Sequence, residues 1–324
     1  MEMLSQVPKL LGISGVKNEQ DVIEPFVRHN LQFLDRLIVL DNGSVDRTPE
    51  ILEHLQQEFP ALVVLHDDAF GNTQIERMNR LLHDGQRTHQ PDFVVPLDAD
   101  EFISATDRTE FCNALAAIPP GGYGVLAWQT FVITPDTVAD CEADPPKLFQ
   151  VRRREELPCY SKVILHTGGV AITDLELDFG SHNVCSSTGR QVPRVSLAPL
   201  KLMHFPLRSR DQFLSRIVVG WMANLTRDPN ASASGLAWQK RDNFDRIVQG
   251  HAMDNVALCE SSLRYAQEAR PIDWQADVVA AKPLVMYERR YSDGKAMDAV
   301  QLIARAWEQS LRVRSDASLV PSTE

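Results

Sequence analysis

The chain has 324 residues, 44% apolar and 24% charged, with 44 acidic against 33 basic side chains and a net charge of −11. This make-up excludes a disordered or fibrous protein, and the acidic balance argues against a broad grip on DNA or RNA. No run approaches the roughly 18–20 apolar residues of a membrane helix, and the start Met1-Glu2-Met3 lacks a signal peptide's positive charge.

From the N-terminus, two hydrophobic periods alternate. Leu10 to Val16 is a short apolar run ending in Lys17-Asn18-Glu19, after which Val22, Ile23, Phe26, Val27 and Leu31 recur at helical spacing. Leu37 to Leu40 predicts a second strand, ending at Asp41-Asn42-Gly43-Ser44; Asp46 or Thr48 then caps a helix with Pro49 in its first turn. Leu62 to Leu65 predicts a third strand, ending at His66-Asp67-Asp68, with a helix from about Thr73 to Leu82 behind it. Phe93 to Leu97 predicts a fourth, ending at Asp98-Ala99-Asp100-Glu101.

Solid apolar strands alternating with helices imply an α/β fold: a mostly parallel sheet with helices on both faces. Right-handed crossovers bring the C-terminal ends of such strands to one edge, where ligands bind. All four polar clusters stand at those ends.

Further on, Gly122 to Val132, Lys162 to Leu165 and Lys201 to His204 read as strands, and residues 134–147 as an acidic, proline-broken loop. From Ser209 the pattern turns helical, with Phe213, Leu214, Ile217, Val218, Trp221 and Leu225 on one stripe, and two more helices are predicted near 236–249 and 256–269. This gives a catalytic domain over residues 8–220, a helical C-terminal extension over 221–315 packed on it, and a frayed tail over 316–324. Cys112, Cys141, Cys159, Cys185 and Cys259 contain no C-x-x-C pair, which argues against a zinc module or a disulfide framework. The chain is read as cytoplasmic, with attachment to the cytoplasmic side of a membrane left open.

Two carboxylates at Asp98 and Asp100, closing a buried strand, are expensive unless something binds them; a divalent cation with oxygen ligands is the natural occupant. At Asp41 to Thr48, an Asp followed by Gly43 and Ser44 suits hydrogen bonds to a ribose or base, while Ser44, Asp46 and Thr48 equally suit a plain helix cap. No dinucleotide fingerprint and no P-loop is present. Arg152 to Arg154 and Lys162 could meet a diphosphate or anionic acceptor, although Glu155 and Glu156 make a self-paired run of the arginines. Trp128, Trp221 and Trp238 are candidates for sugar stacking or simply for the core.

Taken together, these stretches resemble family 2-type glycosyltransferases of the GT-A fold. The resemblance is carried by Val16-Lys17-Asn18-Glu19, Ile23 to Asn30, Asp35 to Thr48 and Pro96 to Phe102. Ser161-Lys162-Val163, Gly180-Ser181-His182 and His204 to Ser209, with Phe213 and Gly220, extend it over roughly residues 10–220.

The resemblance implies that Asn18, Glu19, Asp41, Gly43, Ser44, Asp68 (or Asp67), Arg77 and Asp98 bind the nucleotide. It implies that Asp98 and Asp100 hold Mn2+ or Mg2+, with His182 or His204 completing the shell. Inverting transfer needs a carboxylate base, for which Asp174, Glu176 and Asp178 are the nearest cluster; Asp140, Glu142 and Asp144 are the others, and the family's usual Glu-Asp pair has no clear counterpart. The implied activity is metal-dependent inverting transfer of a sugar from a nucleotide-sugar, a UDP-sugar first, to the hydroxyl of a glycan, lipid or small molecule. The alternatives are a sugar-phosphate nucleotidyltransferase and a non-catalytic nucleotide- or glycan-binding relative.

Overall fold

A computed structural model describes residues 7–67, 73–136, 145–227, 238–250, 254–267 and 270–317. The predicted alternation opens the chain: β1 (Leu10–Val16), α1 (Ile23–Asn30), β2 (Arg36–Asp41), α2 (Thr48–Glu58), β3 (Leu62–His66), α3 (Gln74–His89) and β4 (Phe93–Pro96). A middle stretch follows, with β5 (Glu101–Ser104), α4 (Arg108–Leu115), β6 (Tyr123–Thr130), α5 (Pro145–Leu148), β7 (Val151–Arg153), β8 (Ser161–His166), β9 (Leu175–Leu177), β10 (Val184–Ser186) and β11 (Arg194–His204). The C-terminal part holds α6 (Arg210–Arg227), α7 (Trp238–Val248), α8 (Asn255–Arg264), α9 (Trp274–Asp277), β12 (Val278–Ala280) and α10 (Ala299–Ala317).

Eight strands form the central sheet in the order β3-β2-β1-β4-β8-β6-β11-β5. β1 to β4 make its parallel half. β8 runs antiparallel to β4 and β6, β11 is parallel to β6, and β5 closes the far edge antiparallel to β11. The register aligns Val16 with Asp41 and Asp41 with His66, so the polar turns after β1, β2 and β3 open at one edge. Asp98 follows β4 at the same edge, because Ile13 pairs with Pro96.

The strands read as solid apolar runs because both faces are covered. Leu10, Leu37, Val39, Phe93 and Val95 pack on one side with Phe26, Leu52 and Phe111, from α1, α2 and α4. Leu11, Ile13, Ile38, Leu40 and Val94 pack on the other with Met78, Leu81 and Leu82 of α3. Each face takes alternate residues, as the pleat requires.

The expected boundary at 220 falls inside α6, which runs unbroken to Arg227. Phe213, Ile217 and Trp221 are buried in the core, so α6 packs onto the sheet along its length past residue 220. The C-terminal part is also less helical than expected: β12 pairs with β7, and no regular element spans 281–298. Among the described residues, no helix is long and apolar enough to cross a membrane.

Candidate active site

The first two turns at the sheet edge are stapled to each other. Asn18, in the left-handed region at φ 58°, accepts the Val45 N–H on Oδ1 at 2.8 Å, and its own N–H donates to Ser44 Oγ at 2.8 Å. The Glu19 N–H donates to Thr48 Oγ1 (2.8 Å), and Asp46 accepts from the N–H groups of Gln20 and Thr48. Ser44 also donates its hydroxyl to Asp41. The polar side chains of these two motifs therefore hold each other's backbone.

The turn after β4 is built differently. The Asp98 N–H donates to Glu101 Oε2 (2.8 Å), and Glu101 Oε1 accepts from the indole of Trp128 at 2.7 Å. Lys162, on the neighbouring β8, is buried; its ammonium donates to Asp98 Oδ2 at 2.7 Å and to the Gly180 carbonyl at 2.8 Å, with Glu101 Oε2 at 3.5 Å. Burial opposes the charge on Lys162, but Asp98 and Glu101 outweigh it and hold its pKa above the ordinary value. Burial pushes the Glu101 carboxyl well up. Gly180 has φ 72°, and a Cβ there would lie 2.7 Å from Nε2 of His182, so the Gly-Ser-His motif shapes this carbonyl.

Asp100 lies in a second charged corner. Its Oδ2 stands 3.5 Å from Arg216, 3.8 Å from Arg208 and 3.9 Å from Nε2 of His204. Arg208 is fully buried and grips Asp21 through Nε (2.6 Å), with Glu19 on its other branch. Arg216 donates to the Pro206 carbonyl (2.8 Å) and to the Tyr265 hydroxyl (3.0 Å), which ties the corner to α8. The His204 ring stacks on Trp128 with centroids 4.0 Å apart, and Nδ1 lies 3.3 Å from Thr130 Oγ1. Burial, with Arg153 and Arg216 nearby, drives the His204 pKa well down and keeps the imidazole neutral. Burial raises Glu19 to about 7 against the pull of Arg208.

Between these corners and the stapled loops lies a cavity of about 360 Å3. Of the sequence-predicted residues, Asn18, Glu19, Arg77, Asp98 and Asp100 line it. The structure does not bring the others to its walls. Asp41 is buried, with Ser44 and His66 around its carboxylate, and its neighbour Asn42 faces the cavity instead. Ser44 is spent on the loop staple, and the Gly43 carbonyl accepts from Gln309 of α10. Asp67 pairs with Arg77 and Arg80, while Asp68 lies outside the described residues.

Nor do the expected base residues reach the cavity. Asp174 is held by Ser186, Thr188 and Arg190, which lower its pKa to about 2; Asp178 accepts the N–H groups of His182 and Asn183. Glu176 is exposed on the small β9–β10 ladder, which leans on α3. Asp140, Glu142 and Asp144 lie outside the described residues. Of the two histidines, His204 faces Asp100. His182 packs its ring against Trp128 and Tyr160 and bonds the Ser161 carbonyl through Nδ1. Arg153 and Arg154 serve backbone carbonyls and Glu156 rather than the cavity. Trp128 and Trp221 are core. Arg208 belongs to the His204–Ser209 stretch, whereas Arg216 and Tyr265 carry no local sequence signal.

The donor set around Asp100 fits a divalent cation. Two metal bonds of about 2.1 Å span at most about 4.2 Å, and Asp100 Oδ2 and His204 Nε2 are 3.9 Å apart, too far for a hydrogen bond. Among the described residues, no three His, Cys, Asp or Glu side chains form a complete cage; cations of this kind take their remaining ligands from substrate phosphates and water. Among the described residues, ion pairs join the carboxylates of Glu19, Asp21, Asp98, Asp100 and Glu101 to Lys162, Arg208 and Arg216, and burial pushes Glu19 and Glu101 toward their neutral forms.

Residues 13–125 match the model of glycosyl transferase family 2. The matched segment runs from β1 to the start of β6 and carries the strand-edge turns that line the cavity, and this part of the chain is similar to the family 2 glycosyltransferases. Similar solved structures include S. aureus TarS 1–349, at 14% identity and TM-score 0.39, covering 68% of this chain and 66% of that one. The mannosyltransferase PcManGT from Pyrobaculum calidifontis, solved with GDP-Man and Mn2+, shares 17% identity at TM-score 0.35, over 81% of this chain and 76% of that one. GalNAc-T7, solved with UDP, GalNAc and Mn2+, shares 10% identity at TM-score 0.42, over 64% and 45%. The chain thus spans just under two thirds of the TarS fragment and under half of GalNAc-T7. A search of curated proteins finds no match.

Proposed function

We propose that this glycosyltransferase is metal-dependent and inverting, and moves a sugar from a UDP-sugar to an acceptor hydroxyl. The observation that carries the reading is the pairing of Asp100, which lines the cavity, with the buried His204, 3.9 Å apart. These two side chains would hold Mn2+ or Mg2+. When bound, the cation would offset the charge that builds on the departing diphosphate.

The chain's own residues do the rest. Lys162 clamps Asp98 on Oδ2, so this carboxylate presents a fixed edge to the cavity. Arg216 and Arg77 line the same cavity and add positive charge for the phosphates. Asn42, whose amide carries both a donor and an acceptor, lines the cavity, and in this reading it meets the uracil edge. Inversion places the acceptor on the face of the sugar opposite the diphosphate, away from the Asp98–Asp100 turn.

A thermal-shift screen of UDP, GDP and dTDP and their sugars, with and without Mn2+, tests the reading through ligand linkage. The largest shift is expected from UDP or a UDP-sugar with Mn2+. The same shift in EDTA would remove the metal from the reading, and a larger shift from GDP would remove the uridine.

A further inference from the structure

Asp100 faces two arginines, and neither closes on it. Its Oδ2 stands 3.5 Å from Nη1 of Arg216 and 3.8 Å from Nη1 of Arg208, against about 2.7–2.9 Å for a charge-assisted hydrogen bond. A buried carboxylate this near to two guanidinium groups gains by pairing with them directly. Each arginine is held from behind. Arg216 gives the same Nη1 to the Pro206 carbonyl at 2.8 Å and its Nη2 to the Tyr265 hydroxyl at 3.0 Å.

Arg208 is held by more bonds. Its Nε and Nη2 form a fork on the two carboxylate oxygens of Asp21, at 2.6 and 3.1 Å. Nη2 also meets Glu19 at 2.5 Å, and Nη1 donates to the Phe205 carbonyl at 3.2 Å. Four of the five N–H groups of the guanidinium are then committed, and the fifth is on the nitrogen that faces Asp100. Asp21 is itself fixed between the turn after β1 and α1: it is 2% exposed, and its carbonyl accepts from Nη2 of Arg289, after β12, at 3.0 Å. Unlike Glu19 and Asp100, it does not line the cavity.

We infer that Asp21 is a positioning residue: it holds the Arg208 guanidinium about 1 Å short of Asp100, and so leaves Oδ2 of Asp100 open to a cation. The inference rests on the proposed Asp100–His204 metal site and deepens it. A carboxylate paired directly with arginine has fewer lone pairs left for a metal, and the guanidinium brings its own positive charge to the place the metal must take. Held back, Arg208 still offsets the carboxylates gathered around it, so the corner stays compensated without the direct pair. The anchor and the guarded residue lie 79 positions apart, which is why the turn after β1 carries an aspartate with no place in the cavity wall.

Titration of the full chain with Mn2+ alone, followed by the electron paramagnetic resonance signal of the free ion, tests this. Asp21→Asn keeps the side chain's shape and removes the charge that anchors Arg208. Arg208 should then close on Asp100, and Mn2+ affinity should fall about tenfold or more. Adding Arg208→Gln to Asp21→Asn removes the intruding cation and should restore most of that affinity; it also replaces both members of the buried pair, the better tolerated change. Arg208→Gln alone should bind Mn2+ at least as tightly as wild type, because a positive charge has left the neighbourhood of the metal. A plain loss of packing would lower affinity in all three variants. Unchanged affinity in Asp21→Asn, no recovery in the double variant, or a fall in Arg208→Gln alone each overturns the inference, and the last decides it if Asp21→Asn does not fold. Failure of the wild-type chain to bind Mn2+ would instead sink the metal site on which the inference stands.

Discussion

The two sides of the cavity are built by opposite strategies. On the side of β1 and β2, short polar side chains bond the backbone of the neighbouring loop; this staple lies within residues 16–48, with α10 added from outside at the Gly43 carbonyl. On the side of Asp100, long charged side chains arrive from far along the chain: Arg208 from 187 positions after Asp21, and Arg216 from 116 after Asp100. The first side is a scaffold of short-range hydrogen bonds from small polar side chains. The second is a buried electrostatic assembly, in which removing one member exposes the others.

That contrast predicts unequal costs. The largest should come from Lys162→Met, which leaves Asp98 and Glu101 without their cation. Breaking a buried pair on one side costs about 3–5 kcal/mol, measured as a fall in the urea midpoint. A loss no larger than that of an exposed ion pair would show that the Asp98 corner is solvated and the two sides are alike.

A third region, the segment after β12, is fastened on by His29. Its Nδ1 accepts the Met286 N–H at 3.1 Å, so Nε2 carries the proton that bonds the Ile103 carbonyl at 2.8 Å. Burial lowers the His29 pKa to about 4 from 6.5. The sign follows: the unfolded chain takes up a proton below pH 6.5 that the native state refuses until about pH 4. This contribution is complete above pH 6.5, erodes as pH falls through the window, and is gone below pH 4. It amounts to about 3 kcal/mol. His29→Gln keeps a donor and an acceptor but cannot titrate, so wild type should lose more stability than the variant between pH 7.5 and 4.5; equal losses would discard the assignment.

How far the sequence discloses the molecule follows the same division. The strand runs of the parallel half, and the edge where they open, are legible because period-2 burial on two covered faces leaves a solid apolar signal. The antiparallel half was less so: β5 begins at Glu101, at the close of the Asp98–Asp100 turn, and leaves for the opposite edge of the sheet, which no local pattern announces. At the site, Asp98, Asp100 and His204 stood in recognisable motifs. Asp41 and Ser44 read as ligand contacts from the sequence and make loop bonds in the structure, because an Asp or Ser at a strand end looks the same whether it binds a ribose or a loop. Arg216 was invisible for a different reason. It lies off the apolar stripe of α6, and an arginine there reads as solvent-facing until the cavity behind it is known.

The Asp100 corner gives the next effect. Asp100→Asn keeps the side chain's shape but removes its charge, and should reduce sugar transfer by about a hundredfold or more, near 2.7 kcal/mol in the barrier. Mn2+ affinity in calorimetry should fall with it. His204→Ala should do the same to Mn2+, and Asp98→Asn less, since Lys162 already occupies Oδ2 of Asp98. If Asp98→Asn weakened Mn2+ more than His204→Ala, the two carboxylates would have exchanged parts.

The smallest effect belongs to the scaffold. Ser44→Ala removes the acceptor of the Asn18 N–H and the hydroxyl donor to Asp41. Hydrogen bonds at a half-buried loop position such as Ser44 contribute about 1 kcal/mol each, so a loss of about 1–2 kcal/mol is expected in denaturant unfolding, with Mn2+ affinity unchanged. UDP affinity should drop only as far as the loosened loop shifts Asn18 and Asn42 at the cavity wall. The opposite result, full stability with a large loss of UDP affinity, would mean that the Ser44 hydroxyl turns from its loop to the nucleotide on binding. The β1–β2 side would then be a binding surface in its own right, rather than the frame that holds one.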